Sequence, residues 1–347
     1  MKLGDLGFLL AEKPSRGAQV SMLTRWSLPP DAEPDFLGSL VERWRSCRDF
    51  AEPFNLRVKP GVIPSWETLR PDQIDLDYHL RHSALPKPGG ERELGILASR
   101  LHSTPLDRHR PLWEMHVIEG LENDEFAIFL KLHHAQIDGM GAIKLLNRVL
   151  SKDPEARDMR AFWEVAPLSD QEKQKSSSWL PRDFGTKLLS DTGKLGKALL
   201  NLQTSGDSDN AAAFDAPKTV FNSRLHQPRR VATQCFEVDR MSMLANKADV
   251  SLNDVALCIS AGALRTYLLE HSELPEKSLT AGVPVSIRQD EGVGNEISFI
   301  IVKLHTDIPD PLERLKAIHR SSTLSKKRFK DLPTKATQEA FGSLIMG

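Results

Sequence analysis

Two adjacent histidines open the segment of the chain whose residue types best suit chemistry. His133 and His134 are followed by Asp138 and Gly139 in the pattern His133-His134-x-x-x-Asp138-Gly139. An imidazole titrates near neutral pH, so it can take a proton from a hydroxyl group and return it to a leaving group. Neighbouring side chains of a strand point to opposite sides, so we predict that only His134 meets the hydroxyl. We expect Asp138 to orient the loop through an ion pair rather than to touch the substrate.

The same residues allow other interpretations. Histidines at the end of a strand can be core residues whose hydrogen bonds the protein satisfies. His133, His134 and Asp138 can also bind a metal ion, although no cluster of Cys, His or Glu lies near them in the sequence. A nucleophilic triad fits less well, because the chain contains no Gly-x-Ser-x-Gly segment. We favour the general base and leave the core and metal interpretations open.

The elements around the histidines must hold them rigidly. The apolar run Phe126–Leu132 predicts a strand that ends at the histidines, and Leu112–Ile118 predicts a second strand joined to it by a turn. Gly139 and Gly141 then break the strand, and Met140–Leu150 predicts a helix. A strand end is a rigid support for a reactive side chain, so this order of elements favours the chemical interpretation.

The remaining patterns predict an α/β fold with mixed sheets, divided into two lobes. We predict a first lobe over residues 1–164, a linker with one helix over 165–218, and the start of a second lobe over 219–347. The first lobe adds the strand Gln19–Leu28 and the helices Asp35–Cys47 and Glu91–His102. The second lobe has these predicted elements: a strand Val231–Val238, a helix Val255–Glu270 capped by Ser251 or Asn253, strands Thr280–Ile287 and Ile297–Leu304, and a helix Pro311–Lys326.

Composition excludes several classes of function. The chain has 347 residues, of which 40% are hydrophobic and 27% charged, and its net charge is −1, so no basic field indicates a nucleic-acid partner. Its three cysteines, Cys47, Cys235 and Cys258, suggest no disulfide framework and favour a reducing compartment, for which we expect the cytoplasm. No run of apolar residues is long enough to span a bilayer, so we expect any membrane contact to be peripheral.

Several further motifs, in a fixed order, carry a resemblance to a known family. The chain resembles the bacterial wax ester synthase/acyl-CoA:diacylglycerol acyltransferase family over about residues 50 to 325. The histidine pattern alone is shared with several coenzyme A-dependent acyltransferase families, whereas the Pro-Leu-Trp and Asn-Asp-Val blocks indicate this one. The matching blocks are Leu85-Pro86-x-Pro88-Gly89, Leu106-Asp107-Arg108-x-Arg110-Pro111-Leu112-Trp113-Glu114, Asn253-Asp254-Val255, Gly262-Ala263-Leu264-Arg265, Val283-Pro284-Val285-Ser286-x-Arg288 and Gly294-Asn295.

The resemblance implies a fold, substrates and residue roles. It implies two chloramphenicol-acetyltransferase-like lobes with a tunnel between them, where a long-chain acyl-CoA meets a diacylglycerol or a fatty alcohol. His134 would deprotonate the hydroxyl for direct attack on the thioester, and Asn253 is the candidate donor to the oxyanion, although it can equally cap a helix. Arg288 is the candidate partner of Asp138. No metal ion or bound prosthetic group is needed, because acyl-CoA is a co-substrate.

The other matched positions have structural alternatives. Pro111, Leu112 and Trp113 can bind substrate or start a buried strand, and packing is the favoured role for Trp113. Asp254 belongs to the same group of substrate-binding or structural candidates. Since the substrates are lipids, a membrane or lipid-droplet surface is an expected peripheral partner.

The C-terminus departs from the family pattern. The family's second lobe continues beyond the apolar stretch at Phe341–Met346, so the sequence predicts a C-terminally truncated member with an incomplete second lobe. Truncation motivates one alternative, a non-catalytic lipid-binding fragment with an open tunnel. The shared histidine pattern leaves another, a condensation-type domain that acts on carrier-bound acyl groups.

Overall fold

The computed structural model describes residues 1, 3–13, 17–137, 139–153, 156, 160–166, 216–223, 226, 228–286 and 297–330. The described residues fall into two compact units. The first lies within Met1–Ser177 and Leu225–Thr233, and the second within Ser178–Arg224 and Gln234–Gly347. The domain boundaries inferred from the sequence stay a prediction, and the predicted linker helix at 187–202 lies outside the described residues.

A four-stranded mixed sheet forms the centre of the first unit. Its strands are β1 (Gln19–Ser27), β4 (Leu80–Ala84), β5 (Trp113–Glu119) and β6 (Glu125–His133), in the spatial order β1-β6-β5-β4. β6 is antiparallel to both of its neighbours, whereas β4 and β5 are parallel. The predicted strand before the histidines is therefore confirmed, and it lies inside the sheet, where both sides of the strand are hydrogen-bonded.

Both faces of this sheet are covered, which explains the nearly continuous apolar run of β6. One face packs on helices α2 (Phe36–Ser46) and α5 (Gly139–Val149), and the other packs on α4 (Glu91–Ser103). The strand alternates between them, so Leu130 faces the first group and Phe129 faces α4.

The first unit also contains elements that the sequence did not predict. These are helix α1 (Leu3–Ala11), a short helix α3 (Leu76–His79), strand β4, and a hairpin of β2 (Leu56–Lys59) and β3 (Ser65–Thr68). Helix α1 packs on the hairpin, with Leu9 buried in a cluster that includes Val58 and Trp66. Apart from α1, these elements are short strands and a single-turn helix, which carry too few residues to show a period.

The second unit has a two-stranded antiparallel sheet of β7 (Thr280–Ser286) and β8 (Ile297–Lys303). Two helices, α7 (Leu252–Glu270) and α8 (Pro311–Lys330), bury their apolar faces in one core with these strands. Helix α6 (Val238–Ala248) packs on α7 and α8 through a smaller cluster. The two helices and the last two strands predicted for this part are thus present, and α7 begins three residues earlier than predicted.

The strand predicted at Val231–Val238 is wrong. Residues 231–237 form no strand ladder, and Val238 begins helix α6. The backbone N–H of Val231 instead donates to the hydroxyl of Ser99 on α4. An alternating pattern predicts an extended backbone, but it does not say whether the hydrogen-bond partner is another strand or a side chain.

None of the described helices is long and apolar enough to cross a membrane.

Candidate active site

His133 is the last residue of β6 and is held in place from several directions. Its backbone N–H donates to the carbonyl of Leu112 (3.0 Å), and His133 is the cross-strand partner of Gln19 in β1. The side chain is buried, with 1% exposure, and its Nδ1 accepts the backbone N–H of Ala135 at 3.1 Å. The Nδ1 lone pair of His133 is therefore engaged by a backbone N–H.

Glu12, just beyond α1, is the charged neighbour of His133. Its Oε2 lies 3.6 Å from Nε2 of His133 and 2.6 Å from a guanidinium nitrogen of Arg108, while Oε1 accepts the N–H of Ala18. Burial alone would raise the pKa of Glu12, but His133, Arg108 and the Ala18 N–H outweigh it and lower the pKa to about 2. His133 is therefore part of a buried electrostatic cluster that links α1 to the end of β6.

His134 lies in a different environment although it is the next residue. Its backbone N–H donates to the carbonyl of Ala18 (2.8 Å), the residue that precedes β1. The hydrogen bonding between β6 and β1 therefore continues for one residue beyond the strands. The half-buried ring stacks on Phe8 of α1, with ring centroids 4.0 Å apart and an interplanar angle of 19°. Phe8 in turn packs on a buried apolar cluster that includes Leu112 and Ala135. The imidazole of His134 is thus oriented by an aromatic face.

The turn after the histidines is fixed by Gln136. Its side-chain amide donates to the carbonyl oxygens of Pro53 (3.2 Å) and Leu56 (2.9 Å), which precede and begin the β2–β3 hairpin. The predicted helix after the motif is present as α5, which begins at Gly139, one residue before the predicted start at Met140. Asp138 and its predicted partner Arg288 lie outside the described residues, so their ion pair stays a prediction.

The Pro-Leu-Trp block supports the histidines from the neighbouring strand. Pro111 forms an isolated antiparallel β-bridge with Arg57 of β2. The carbonyl of the fully buried Leu112 accepts the backbone N–H of His133. Trp113 is fully buried, and its indole N–H donates to the backbone carbonyl of Phe54 (2.9 Å). Its ring stacks on His79 (4.3 Å) and Trp163 (5.5 Å). These contacts make the block a packing element beside the motif.

In the second unit, the adjacent residues Asn253 and Asp254 lie in different environments at the N-terminus of α7. Ser251 is the N-cap, and Asn253 is exposed in the first turn. Asp254, 1% exposed, accepts the N–H (3.0 Å) and hydroxyl (2.7 Å) of Ser251 and lies 2.8 Å from Nδ1 of His319 on α8. Burial would raise the pKa of Asp254, but hydrogen bonds from His319 and Ser251 hold it below its usual value.

Asp254 is therefore a structural carboxylate that joins two helices, and Asn253 remains available to a ligand. Sequence reasoning missed His319 and Glu12, since each lies far along the chain from its partner. Among the described residues, no three His, Cys, Asp or Glu side chains are grouped closely enough to hold a metal ion.

Comparison with known proteins decides the family. The model of the wax ester synthase/diacylglycerol acyltransferase catalytic domain matches residues 1–256, and the model of the family's C-terminal domain matches residues 293–346. The chain belongs to the wax ester synthase/diacylglycerol acyltransferase family. The resemblance inferred from the motifs is confirmed, and the chain is an acyltransferase whose substrates are an acyl donor and an acceptor alcohol.

Individual members of the family align over most of the chain. A probable diacylglycerol O-acyltransferase of Mycobacterium tuberculosis is 37% identical over 344 residues, covering 96% of this chain and 75% of the relative. The O-acyltransferase WSD of Acinetobacter baylyi is 36% identical over 334 residues, covering 94% of this chain and 72% of the relative. Because the family's C-terminal domain is matched within this chain, the truncation inferred from the sequence is not evident.

Solved structures support the predicted fold class. The wax ester synthase/diacylglycerol acyltransferase from Marinobacter aquaeolei VT8 superposes with a TM-score of 0.76 and 30% identity, covering all of this chain and 77% of that one. A condensation domain of the calcium-dependent antibiotic synthetase shares the fold at 14% identity and a TM-score of 0.55, covering 99% of this chain and 77% of that one. The predicted α/β fold with two chloramphenicol-acetyltransferase-like lobes is confirmed, and the tunnel between them stays a prediction.

Proposed function

We propose that this family member transfers the acyl group of a long-chain acyl-CoA to the hydroxyl of a diacylglycerol or a fatty alcohol, with His134 as the general base. The observation that carries the assignment is the contrast between the two histidines. The Nδ1 lone pair of His133 already accepts the N–H of Ala135, and its ring is buried beside Glu12. His134 is half-buried at the end of a rigid strand, where a substrate hydroxyl can reach a base.

The proposed reaction is a direct acyl transfer. His134 takes the hydroxyl proton as the alkoxide oxygen forms a bond to the thioester carbonyl carbon. The tetrahedral oxyanion then collapses, the carbon–sulfur bond breaks, and the proton on His134 passes to the thiolate of coenzyme A. In this proposal Asn253 donates to the oxyanion, Asp138 orients the motif with Arg288, and no metal ion or prosthetic group takes part.

Names of relatives support both types of acceptor. The Mycobacterium tuberculosis relative is called a probable diacylglycerol O-acyltransferase, and the Marinobacter protein is called a wax ester synthase/diacylglycerol acyltransferase. The decisive assay incubates the purified chain with palmitoyl-CoA and follows free thiol, with hexadecanol, with dioleoylglycerol, or without an acceptor. We expect thiol release that depends on an acceptor and matches the ester formed. Binding of lipid without thiol release would favour a lipid-binding role, and transfer only from a carrier-bound acyl group would favour a condensation-type role.

We further propose that the chain takes its lipid acceptor from a membrane or lipid-droplet surface. The tip of the β2–β3 hairpin presents Val62 and Ile63, which are 105% and 73% exposed, and Leu10 on α1 is 68% exposed. The elements that carry these residues pack together through Phe8, Leu9 and Trp66, beside His134. Transfer of an apolar side chain from water into lipid is favourable by about 1.5–3 kcal/mol, so a few such residues can support peripheral binding.

A further inference from the structure

A segment from much later in the sequence lies along helix α4 in the first unit. We call residues 228–233 the strap; every residue of it is described, and it forms neither a helix nor a strand ladder. Two of its backbone N–H groups donate to serine hydroxyls of α4. The N–H of Val231 donates to Ser99 (2.9 Å), and that of Arg229 donates to Ser103 (2.8 Å). The strap is therefore held by specific hydrogen bonds to the helix.

Helix α4 accommodates the strap with every fourth residue. The hydroxyls of Ser99 and Ser103 each donate to the helix carbonyl four residues earlier, so their lone pairs remain to accept the N–H groups of the strap. One turn earlier, a Cβ at Gly95 would lie 3.0 Å from a carbonyl oxygen of the strap, so only glycine leaves room for it. One turn earlier again, Glu91 accepts the hydroxyl of Thr233 (3.0 Å). Residues four apart share one face of a helix, so this face forms a continuous seat.

The last turn of α4 is also bonded to the sheet that carries the histidine motif. A helix leaves its last carbonyls without helical partners, and here side chains of two strands donate to them. The ammonium group of Lys131 in β6 donates to Leu101 (3.0 Å) and Thr104 (2.9 Å). The side-chain amide of Gln19 in β1 donates to the carbonyl of His102 (2.9 Å). The same turn is thus hydrogen-bonded both to the strap and to the sheet.

The two strand residues that this turn holds are close neighbours of the histidines. Gln19 is the cross-strand partner of His133. Lys131 precedes His133 by two residues on β6. The carbonyl of Ala18, directly before Gln19, accepts the backbone N–H of His134. The end of α4 therefore holds both strand ends from which the imidazoles project.

We propose that the strap is a positioning element for acyl transfer. It clamps the last turn of α4, and that turn fixes the ends of β1 and β6, and with them the imidazole of His134. The chain passes from Thr233 directly into the second unit, so the strap makes the position of the histidines depend on the chain that leads there. Its residues act through α4 rather than on the substrate. The inference rests on the proposed function, in which His134 is the general base.

Two variants release the strap without weakening α4. Ser99→Ala/Ser103→Ala removes both acceptors, and Gly95→Ala places a methyl group against the strap; each introduces alanine, the best helix former. Ser260→Ala on α7 is the matched control. Its exposed hydroxyl makes the same bond to the carbonyl four residues earlier, and it accepts no N–H from the rest of the described chain. Ser103→Thr keeps the hydroxyl and should behave as the wild type.

Hydrogen exchange reports on the strap, and kinetics with palmitoyl-CoA and hexadecanol report on the reaction. In both strap-releasing variants we expect the amides of residues 229–233 to exchange at least about tenfold faster, because their hydrogen bonds to α4 are lost. We expect kcat to fall about three- to tenfold and the KM for palmitoyl-CoA to change less than about twofold, because the base is misplaced while binding is kept. The melting temperature should not change. In histidine-labelled protein, the imidazole NMR signals of His133 and His134 should shift, whereas that of the distant His271 should not.

Each other outcome has a definite meaning. Faster exchange of the strap with normal kcat and unshifted histidine signals would overturn the proposal, because the strap would then only cover α4. Unchanged exchange in both variants would overturn it too, since these residues would not hold the strap. A fall in kcat that accompanies a lower melting temperature and faster exchange of β6 would replace positioning by a general loss of stability. If the wild type released no thiol but the signals of both histidines still shifted on release of the strap, the proposed reaction would fail and the role of the strap would stand.

Discussion

The ring of His134 lies nearly parallel to that of Phe8, with their centroids 4.0 Å apart. This contact connects the proposed base to α1. Replacing Phe8 with Leu keeps an apolar side chain but removes ring stacking, which is worth about 0.5–1.5 kcal/mol. We expect Phe8→Leu to lower kcat several-fold with little change in the melting temperature. The control is Leu10→Ala on the exposed side of the same helix, whose kcat measured with a soluble acceptor should stay normal.

Substitution of the two histidines should have different consequences. We expect His134→Ala to lower kcat by about a hundred- to ten-thousand-fold, the usual range for loss of a general base, while its melting temperature changes little. His133→Ala removes the acceptor of the buried Ala135 N–H and the neighbour of Glu12, so it should cost about 1–3 kcal/mol of stability and leave measurable turnover. Thiol-release kinetics and urea unfolding measure the two effects.

The exposed His109 provides the control for these two variants, because its side chain is 95% exposed. His109→Ala should match the wild type in both assays. An inactive His133→Ala together with a nearly normal His134→Ala would reverse the assignment of the base.

The low pKa of Glu12 predicts how stability depends on pH. Its folded pKa of about 2 lies below the ordinary pKa of 4.5 for a glutamate, so its stabilisation is present above pH 4.5 and is lost as the pH falls towards 2. The difference of about 2.5 pKa units corresponds to roughly 3 kcal/mol as an upper bound. We expect Glu12→Gln to be less stable than the wild type at pH 7 by up to this amount, and the difference to shrink as the pH falls.

Urea unfolding at pH 7, 4 and 3 measures that difference. The exposed Glu33, whose replacement by Gln should change neither the stability nor its pH dependence, is the control. A difference between Glu12→Gln and the wild type that is constant from pH 7 to pH 3 would contradict the electrostatic account.

Asn253 and Asp254 are adjacent, but their substitution should separate catalysis from stability. Asn253 is exposed, so Asn253→Ala should leave the melting temperature unchanged and, if the residue donates to the oxyanion, lower kcat by about a hundred- to a thousand-fold. Asp254→Ala removes the carboxylate that joins Ser251 to His319, so it should destabilise the second unit by about 1–3 kcal/mol. Thermal unfolding and kcat of both variants are measured together. A normal kcat in Asn253→Ala would remove that residue from the mechanism.

The hairpin tip should control binding to lipid surfaces. We expect Val62→Ser/Ile63→Ser to reduce co-sedimentation with neutral vesicles by about tenfold or more, since two apolar side chains then no longer enter the lipid. Activity towards an acceptor dissolved in detergent should be retained. Leu269→Ser is the control, because this apolar residue of α7 is similarly placed on the surface and is 51% exposed. Equal losses in both variants would indicate nonspecific adhesion.

Local patterns were sufficient to predict the strand before the histidines and the helix after them. The run from Phe126 to Leu132 is apolar because both faces of the sheet are covered, and that property is visible in the sequence. The glycine at position 139 also marked the start of α5 correctly. Patterns of this kind depend only on neighbouring residues, which explains their success.

The contacts that distinguish the two histidines could not be predicted. Glu12 reaches His133 across more than a hundred residues of sequence, and nothing near either residue indicates the contact. His319 meets Asp254 in the same way, from one helix to another. The alternation after Val231 suggested a strand, because the pattern does not reveal that a serine hydroxyl takes the place of a neighbouring strand. Tertiary contacts decide each of these cases.

The buried pair of Lys131 and Glu114 has a consequence for the pairing of β5 and β6. The two residues are direct cross-strand partners, and their side chains meet at 2.9 Å with almost no exposure to water. A slip of β6 by one residue would move Lys131 to the opposite face of the sheet, among apolar groups, where its charge has no partner. The same slip would exchange the positions of His133 and His134. The ion pair therefore fixes the register of β6, and in the proposed mechanism it determines which of the two imidazoles faces the substrate hydroxyl.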